Sequence, residues 1–414
     1  MPLRYTMMLF LMLALFLCYV DRVLISLAAV DMQKELGWSD TGKGLIFSAF
    51  FIGYFAMQIG SGILSRIHGG RNVLLIAVLL WSLFTMLTPP AAYASFTILI
   101  FTRFMLGFGE GAAYPAAYNL VYGWMKEGEI SRSISLTTAA STVGTVFAFL
   151  VVGKLIGLYG WQWVFYFFGS LGAVWAVFWI RYIPARPGTG VPENKEHGNG
   201  KNAALNIPWK LIFTSAPSLA LFYIAACFWG VIFPLASWLP SYYVDTFQVS
   251  LAQAGIYSVL PWLVVSVCTI LAGILADRLL ERGTAKIRVR KGFIGVSTGG
   301  AAISLLFLMN SPSLVLSIFL VSLLFAFIGL IVPGFAPNAA DILPSHGEVL
   351  YGFLAATGSL SGAIVTALIG ILLDRTGNYE SVFLLMAALS FSGLLVFQLF
   401  GKAEPMIKTG VRNV

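Results

Sequence analysis

An all-α polytopic membrane protein, with twelve transmembrane helices in two pseudo-symmetric six-helix bundles, is predicted by three observations. Hydrophobic residues make up 59% of the 414-residue chain and charged residues only 10%, with a mean hydropathy of +0.88, far more apolar matter than a soluble domain needs. The apolar runs are long and unbroken rather than short and alternating. Lipid offers no partner to a free backbone amide, so such runs cross as helices and not as barrel strands. Finally, short motifs recur between the two halves, the mark of a duplicated six-helix unit.

Polar punctuation cuts the chain into about twelve segments of at least ~20 residues, the length that spans the hydrocarbon. They lie near 5–30, 42–65, 72–92, 94–124, 133–157, 161–183, 212–244, 250–276, 291–310, 313–340, 348–373 and 379–400. The first follows Arg4 in the manner of a signal peptide, but its apolar run continues past Asp21 and Arg22 to full span length. The second ends in GILSRIHGGR, 62–71, which GILADRLLERG, 273–283, echoes after the eighth. The fourth, from Phe101 to Trp124, carries Arg103 and Glu110 in an otherwise apolar run. GKLIGLYGWQWVF, 153–165, joins the fifth to the sixth, and GILLDRTGNYESVF, 370–383, joins the eleventh to the twelfth in the same style. In the seventh, Tyr223, Phe228, Trp229 and Trp238 accompany breaks expected at Pro234 and Pro240. The tenth combines Pro333 and Pro337 with Asn338, and the eleventh sets Thr357, Ser359 and Ser361 beside Gly358 and Gly362. The organisation expected is a bundle over 1–183, a linker over 184–210 rich in Pro, Gly, Asn and charge, and a second bundle over 211–414 with a short tail.

The distribution of Lys and Arg gives the orientation. Of 25, 19 fall in connections on one side, four (Lys34, Lys43, Lys154 and Arg375) on the other, and Arg22 and Arg103 within spans. By the positive-inside rule both termini are cytoplasmic. The net charge of +8 then reflects topology, and no basic folded domain remains for a nucleic acid to bind. Cys18, Cys227 and Cys268 fall inside spans as packing residues, and His68, His197 and His346 fall in loops, so no metal site or other cofactor is expected.

The buried charges point to chemistry. Seven residues at ~100° each bring Glu110 within about 20° of Arg103, two turns along one face. A charge at the bilayer centre costs at least ~2.5–3.5 kcal/mol, so a pair on one stripe implies either a structural ion pair or a wet, functional interior surface. Asp21 and Arg22, as neighbours, diverge by ~100° and address different partners. Either Asp21 faces Arg103 and leaves Arg22 to a cavity, or the reverse. Four ionisable groups from two spans of one half favour a proton and anion site near the midplane.

The Gly-x-Leu-Ala-Asp-Arg loop at 273–278, the repeat and the central loop resemble the major facilitator superfamily over essentially the whole chain. Tyr19-Val-Asp21-Arg22, together with Arg103-Phe-Met-Leu-Gly-Phe-Gly-Glu110, Pro115 and Trp124, resembles its anion:cation symporter branch, which holds carriers of sugar acids, sialic acid, glutamate and phosphate. The resemblance implies that Asp21 and Glu110 take up protons, the coupling ion, while Arg22 and Arg103 serve a substrate carboxylate. It also implies a gating loop at Asp277 and Arg278. Its first-half counterpart carries Arg66 in place of the usual Asp. Phe51, Ser141 and Ser359 stand where sugar-acid carriers tend to have Tyr, Gln and Asn. A pocket that loses hydroxyl-binding groups suits a less hydroxylated anion. The candidate substrate contacts are thus Arg22, Arg103, Tyr19, Phe51, Tyr54, Ser141, Tyr223, Trp229, Asn338 and Ser359.

The function expected is proton-coupled import of a small organic anion by alternating access, from a monomer in the inner (plasma) membrane. A drug/proton antiporter of the same superfamily is the alternative, disfavoured because the fifth span, 137–153, has no proline. An enzyme would need a nucleophile with its base, or a metal cluster, and the sequence offers neither.

Overall fold

The computed structural model describes residues 2–184, 207–311 and 313–406, save the side chain of Ile59. The expected linker therefore lies largely outside the described residues, His197 with it, as do residues 407–414 of the tail. The described chain forms fifteen α-helices and one short 3-10 turn. Eleven elements are long and apolar enough to cross a membrane, and a twelfth is added when the second helix, bent by 51° near Gly60, counts as one span.

Local chemistry sets most boundaries. α1 (Leu3–Leu36) stops at Gly37, whose φ of 68° suits a residue without Cβ. α2 (Asp40–His68) starts on Ser39, whose side chain accepts from the Gly42 amide, and α4 (Phe96–Glu110) starts on Ser95 in the same way. Such caps satisfy amides that a helix start leaves open. Between them runs α3 (Gly70–Ala94). α6 (Ile130–Tyr159) turns into α7 (Trp161–Tyr182) at Gly160, φ 82°.

The fourth span is not one helix. α4 ends at Glu110 and α5 (Ala113–Trp124) begins three residues later. Pro115 explains the break, because its ring clashes with the carbonyl four residues back, at Gly111. After the short α8 (Trp209–Thr214), α9 (Ala216–Phe247), α10 (Leu251–Glu281) and α11 (Lys286–Leu308), the second half repeats the device. α12 (Leu314–Gly329) gives way to α13 (Val332–Ile342), with Pro333 four residues beyond Gly329. The breaks expected at Pro234 and Pro240 are absent, and α9 runs straight through both. Each ring removes a single ladder bond, and its fixed φ is itself helical. α14 (Gly347–Thr376) and α15 (Glu380–Phe400) complete the chain.

Two compact units result. One comprises Met1–Glu193, Phe233–Trp262 and Gly362–Tyr379, the other Asn194–Ile232, Leu263–Ser361 and Glu380–Val414, so parts of α9, α10 and α14 group with the first-half helices. Within the first unit the cause is close backbone approach at glycine. A Cβ on Gly255 would lie 2.3 Å from the Phe149 carbonyl, and one on Gly370 would lie 2.3 Å from that of Asp40. The Asp374 carboxylate also accepts from the Asp40 and Thr41 amides at 2.9 and 2.8 Å, placing an anion on the open start of α2. The core of this unit gathers Leu11, Leu74, Trp81, Leu106 and Trp179. The second unit's core gathers Leu221, Ile294, Ile342, Leu350 and Phe397.

Candidate functional site

Glycines determine where the charges of α4 can sit. A Cβ on Gly107 would lie 2.0 Å from the Phe50 carbonyl of α2, one on Gly111 2.7 Å from that of Tyr54, and one on Gly53 1.9 Å from that of Phe104. On another face, a Cβ on Gly109 would come within 3.0 Å of the Trp81 amide nitrogen of α3. The helix is thus wedged between α2 and α3 at backbone distance, the close packing that small residues allow in membranes. Its last residue, Glu110, is fully buried, and Arg103 is 1% exposed.

The ion pair that forms is Arg22 with Glu110. Arg22 Nη2 donates to Glu110 Oε2 at 2.9 Å and Nε to the same oxygen at 3.2 Å. The C-terminal end of α4 carries partial negative charge of its own and adds to this attraction. The guanidinium also lies over three rings, Tyr19 at 4.6 Å, Tyr54 at 4.8 Å and Phe50 at 5.1 Å. Phe50 shares its ring with Arg103, at 5.4 Å. No ion pair within 4.0 Å joins Asp21 to Arg103 among the described residues, so neither sequence arrangement is met in full. Asp21, 2% exposed, lies instead within electrostatic reach of both Glu110 and Arg103 and beside Thr85.

Four buried atoms of this cluster lack hydrogen-bond partners: Asp21 Oδ1, Glu110 Oε1, and Arg103 Nε and Nη1. Buried polar atoms are nearly always satisfied, and a concentration of exceptions marks a place where a ligand, proton or water acts. Nε and Nη1 stand on different edges of the Arg103 guanidinium, so each offers its own charge-assisted hydrogen bond to an anion, and either acid becomes a donor when protonated.

Other predicted contacts join the cluster. Tyr19 meets Tyr114 edge-on at 6.3 Å, and Tyr114 and Ser141 share a hydrogen bond at 2.9 Å. Phe51 stacks on Phe233 at 4.7 Å. Tyr114 and Phe50 escape the sequence reading, although Tyr114 sits one turn beyond Glu110 and Phe50 adjoins a predicted residue. Tyr223, Trp229, Asn338 and Ser359 belong to the other compact unit. There the structure gives Asn338 a different task. Its amide donates to the Lys402 carbonyl at 2.9 Å, tying down the chain after α15. Tyr223 is 39% exposed and donates to Ser392 of α15. Trp229 packs so closely on α14 that a Cβ at Gly358 would lie 1.9 Å from its ring, and Ser359 donates back to Ala355 O at 3.1 Å.

Asp277 and Arg278 of the expected gating loop are both exposed and join no ion pair within 4.0 Å among the described residues. In that half the latch is Arg290 of α11, which donates from Nε to Asp341 of α13 at 2.7 Å and from Nη1 to the Pro333 carbonyl at 2.7 Å. In the first half Asn119 of α5 does comparable work, accepting from the Gly70 amide at the start of α3 at 2.8 Å. Asp341→Ala strands a buried guanidinium and is expected to cost about 3–5 kcal/mol, whereas an Arg290→Met, Asp341→Leu double variant recovers most of the loss. Thermal unfolding in detergent reads both, and an unchanged midpoint in Asp341→Ala refutes the latch.

Among the described residues no three His, Cys, Asp or Glu side chains converge as metal ligands. Comparison with known proteins agrees with a carrier. The sequence pattern described as Major Facilitator Superfamily matches residues 11–289. A sodium-dependent phosphate transport protein of Arabidopsis thaliana chloroplasts is 34% identical over 98% of this chain and 80% of its own length. The chloroplast ascorbate transporter of the same plant is 34% identical over 98% and 76%. A voltage-gated purine nucleotide uniporter of Homo sapiens is 31% identical over 95% and 91%. Among solved structures, a bacterial homologue of the human lysosomal transporter Spinster, inward-facing and occupied, superposes with a TM-score of 0.82 at 18% identity, over 96% of this chain and 97% of that one. The xylose transporter XylE from E. coli gives 0.74 at 14%, over 96% of each chain.

Proposed function

We propose that this chain, which belongs to the major facilitator superfamily, imports a small organic carboxylate together with protons. The relatives named for phosphate, ascorbate and purine nucleotides all handle anions, and two arginines in one buried cluster suit that charge. The carrying observation is the uneven state of the four groups: Arg22 is held by Glu110, while Arg103 keeps two free donors beside an unbonded Asp21 oxygen.

The cycle follows from exchange of partners. Protonation of Glu110 weakens its hold on Arg22, and protonation of Asp21 lightens the negative field around Arg103. Both guanidinium groups then face the incoming carboxylate. With both acids protonated the two arginines carry +2, which the bound carboxylate offsets in part, and it is this loaded site, with its guanidinium groups paired to the cargo, that passes through the closed states of alternating access. Loss of the protons on the inner side restores Arg22–Glu110 and expels the anion. Phe51, an apolar ring stacked on Phe233, supports a cargo with few hydroxyls. We place the carrier in the inner (plasma) membrane as a monomer, with both termini cytoplasmic on the Lys and Arg count.

Uptake into proteoliposomes of a panel of carboxylates, with and without an inward proton gradient, tests the reading. The gradient is expected to drive accumulation, and Arg103→Ala is expected to weaken uptake about thirty-fold or more, from a loss of at least ~2 kcal/mol. Accumulation driven by a sodium gradient alone, or cationic dyes transported in place of acids, overturns it.

A further inference from the structure

The start of α11 holds more positive charge than the chain itself answers. Four of its first six residues are cations, Lys286, Arg288, Arg290 and Lys291, at a helix end whose partial charge is already positive. Asp341 takes Arg290 and Lys286, at 2.7 and 3.7 Å, and Lys291 Nζ donates to the Gln398 carbonyl of α15 at 2.7 Å. Arg288 is exposed and belongs to no ion pair among the described residues.

Beside Arg288 and Lys291 lies an open cavity of about 580 Å³, lined further by Ile287, Gly292, Val296 and Gln398. Gly292 leaves it clear, since a Cβ there would meet nothing within 4 Å. Away from the charges the wall turns apolar at Val296 of α11, which is 54% exposed. A cationic end that continues into a bare apolar flank has the polarity of a phospholipid, headgroup first and acyl chain after. A free phosphate would gain nothing from the apolar wall.

We propose that this groove between α11 and α15 binds an anionic phospholipid, with Arg288 and Lys291 holding the phosphate and the chain lying along Val296. Basic pockets between spans at the membrane surface recognise such headgroups at about 1 kcal/mol per cation.

The experiment is native mass spectrometry of the full-length protein released from micelles that contain phosphatidylglycerol and phosphatidylcholine. The wild type is expected to retain phosphatidylglycerol preferentially. Arg288→Gln should weaken that retention about five-fold, the equivalent of one such cation. Gly292→Leu, which fills the groove without changing charge, should bring it down to the level of phosphatidylcholine. Arg282→Gln, a cation outside the groove, should leave it unchanged. Equal loss in Arg282→Gln would reveal diffuse attraction and overturn the site. So would full retention in the first two variants, or displacement of the lipid by inorganic phosphate at matched concentration.

Discussion

Glu110→Gln is expected to abolish uphill accumulation while exchange of substrate across the membrane continues. Gln keeps the shape and an acceptor oxygen for Arg22, whose Nη2 and Nε now bond to Oε2 at 2.9 and 3.2 Å, but it cannot release a proton at any physiological pH. The arginine is then held as weakly as in the protonated wild type, so the site loads substrate without regard to pH. Accumulation should fall to the equilibrium ratio, and counterflow should stay within a few-fold of wild type and lose its pH dependence. Glu110→Ala is the contrasting variant. It removes one partner of a buried pair, and the uncompensated guanidinium should cost about 3–5 kcal/mol, lowering the unfolding midpoint as well as transport. Asp21→Asn distinguishes the two acids. If it uncouples transport while Glu110→Gln still accumulates substrate against its gradient, the coupling proton resides on Asp21.

The spans are legible in the sequence because lipid demands unbroken apolar length. The cluster is legible because a charge in such a run is costly enough to need a reason. The pairing within it is not. Asp21 and Arg22 are adjacent, and which of them meets α4 depends on the rotation of α1 about its own axis, set by packing of the kind seen where Gly144 of α6 comes within 2.5 Å of the Phe16 carbonyl, measured from an ideal Cβ. Nothing in the periodicity of α1 records that rotation. The same holds for Arg290 and Asp341, 51 positions apart, whereas Asp277 and Arg278 attract notice by standing side by side in a motif. Asn338 reads as a cavity residue because it is polar and follows Pro333 and Pro337 in an apolar span, yet its amide donates to a carbonyl in the segment after α15, a contact that no local pattern announces. The interruption after Glu110 is an intermediate case. Pro115, four residues past Gly111, accounts for it once seen, and Pro333 beyond Gly329 repeats it, but the unbroken α9 with Pro234 and Pro240 shows that a proline alone does not announce such a break.

Gly107→Leu is expected to eliminate folded protein, and Gly107→Ala to yield protein that folds but transports poorly. A Cβ at this position would stand 2.0 Å from the carbonyl oxygen of Phe50, and the obstacle is backbone, so no rotamer change relieves it. α2 and α4 must separate by more than an ångström. Between helices in lipid there is little hydrophobic force to compensate, because van der Waals contact and close approach are themselves the attraction. Separation also moves Phe50, the ring that lies over both Arg22 and Arg103, so the disturbance reaches the charges even where the fold survives. Gly123→Ala is the matched control. It lies in α5 with nothing within 4 Å of its ideal Cβ, and Ala there gains up to about 1 kcal/mol of helix propensity. Expression, gel-filtration profile and unfolding midpoint should therefore separate the two glycines sharply. A Gly107→Leu protein that melts with the wild type and still accumulates substrate would mean that α2 and α4 are not held at backbone distance. The arginines would then owe their positions to something other than this glycine seam.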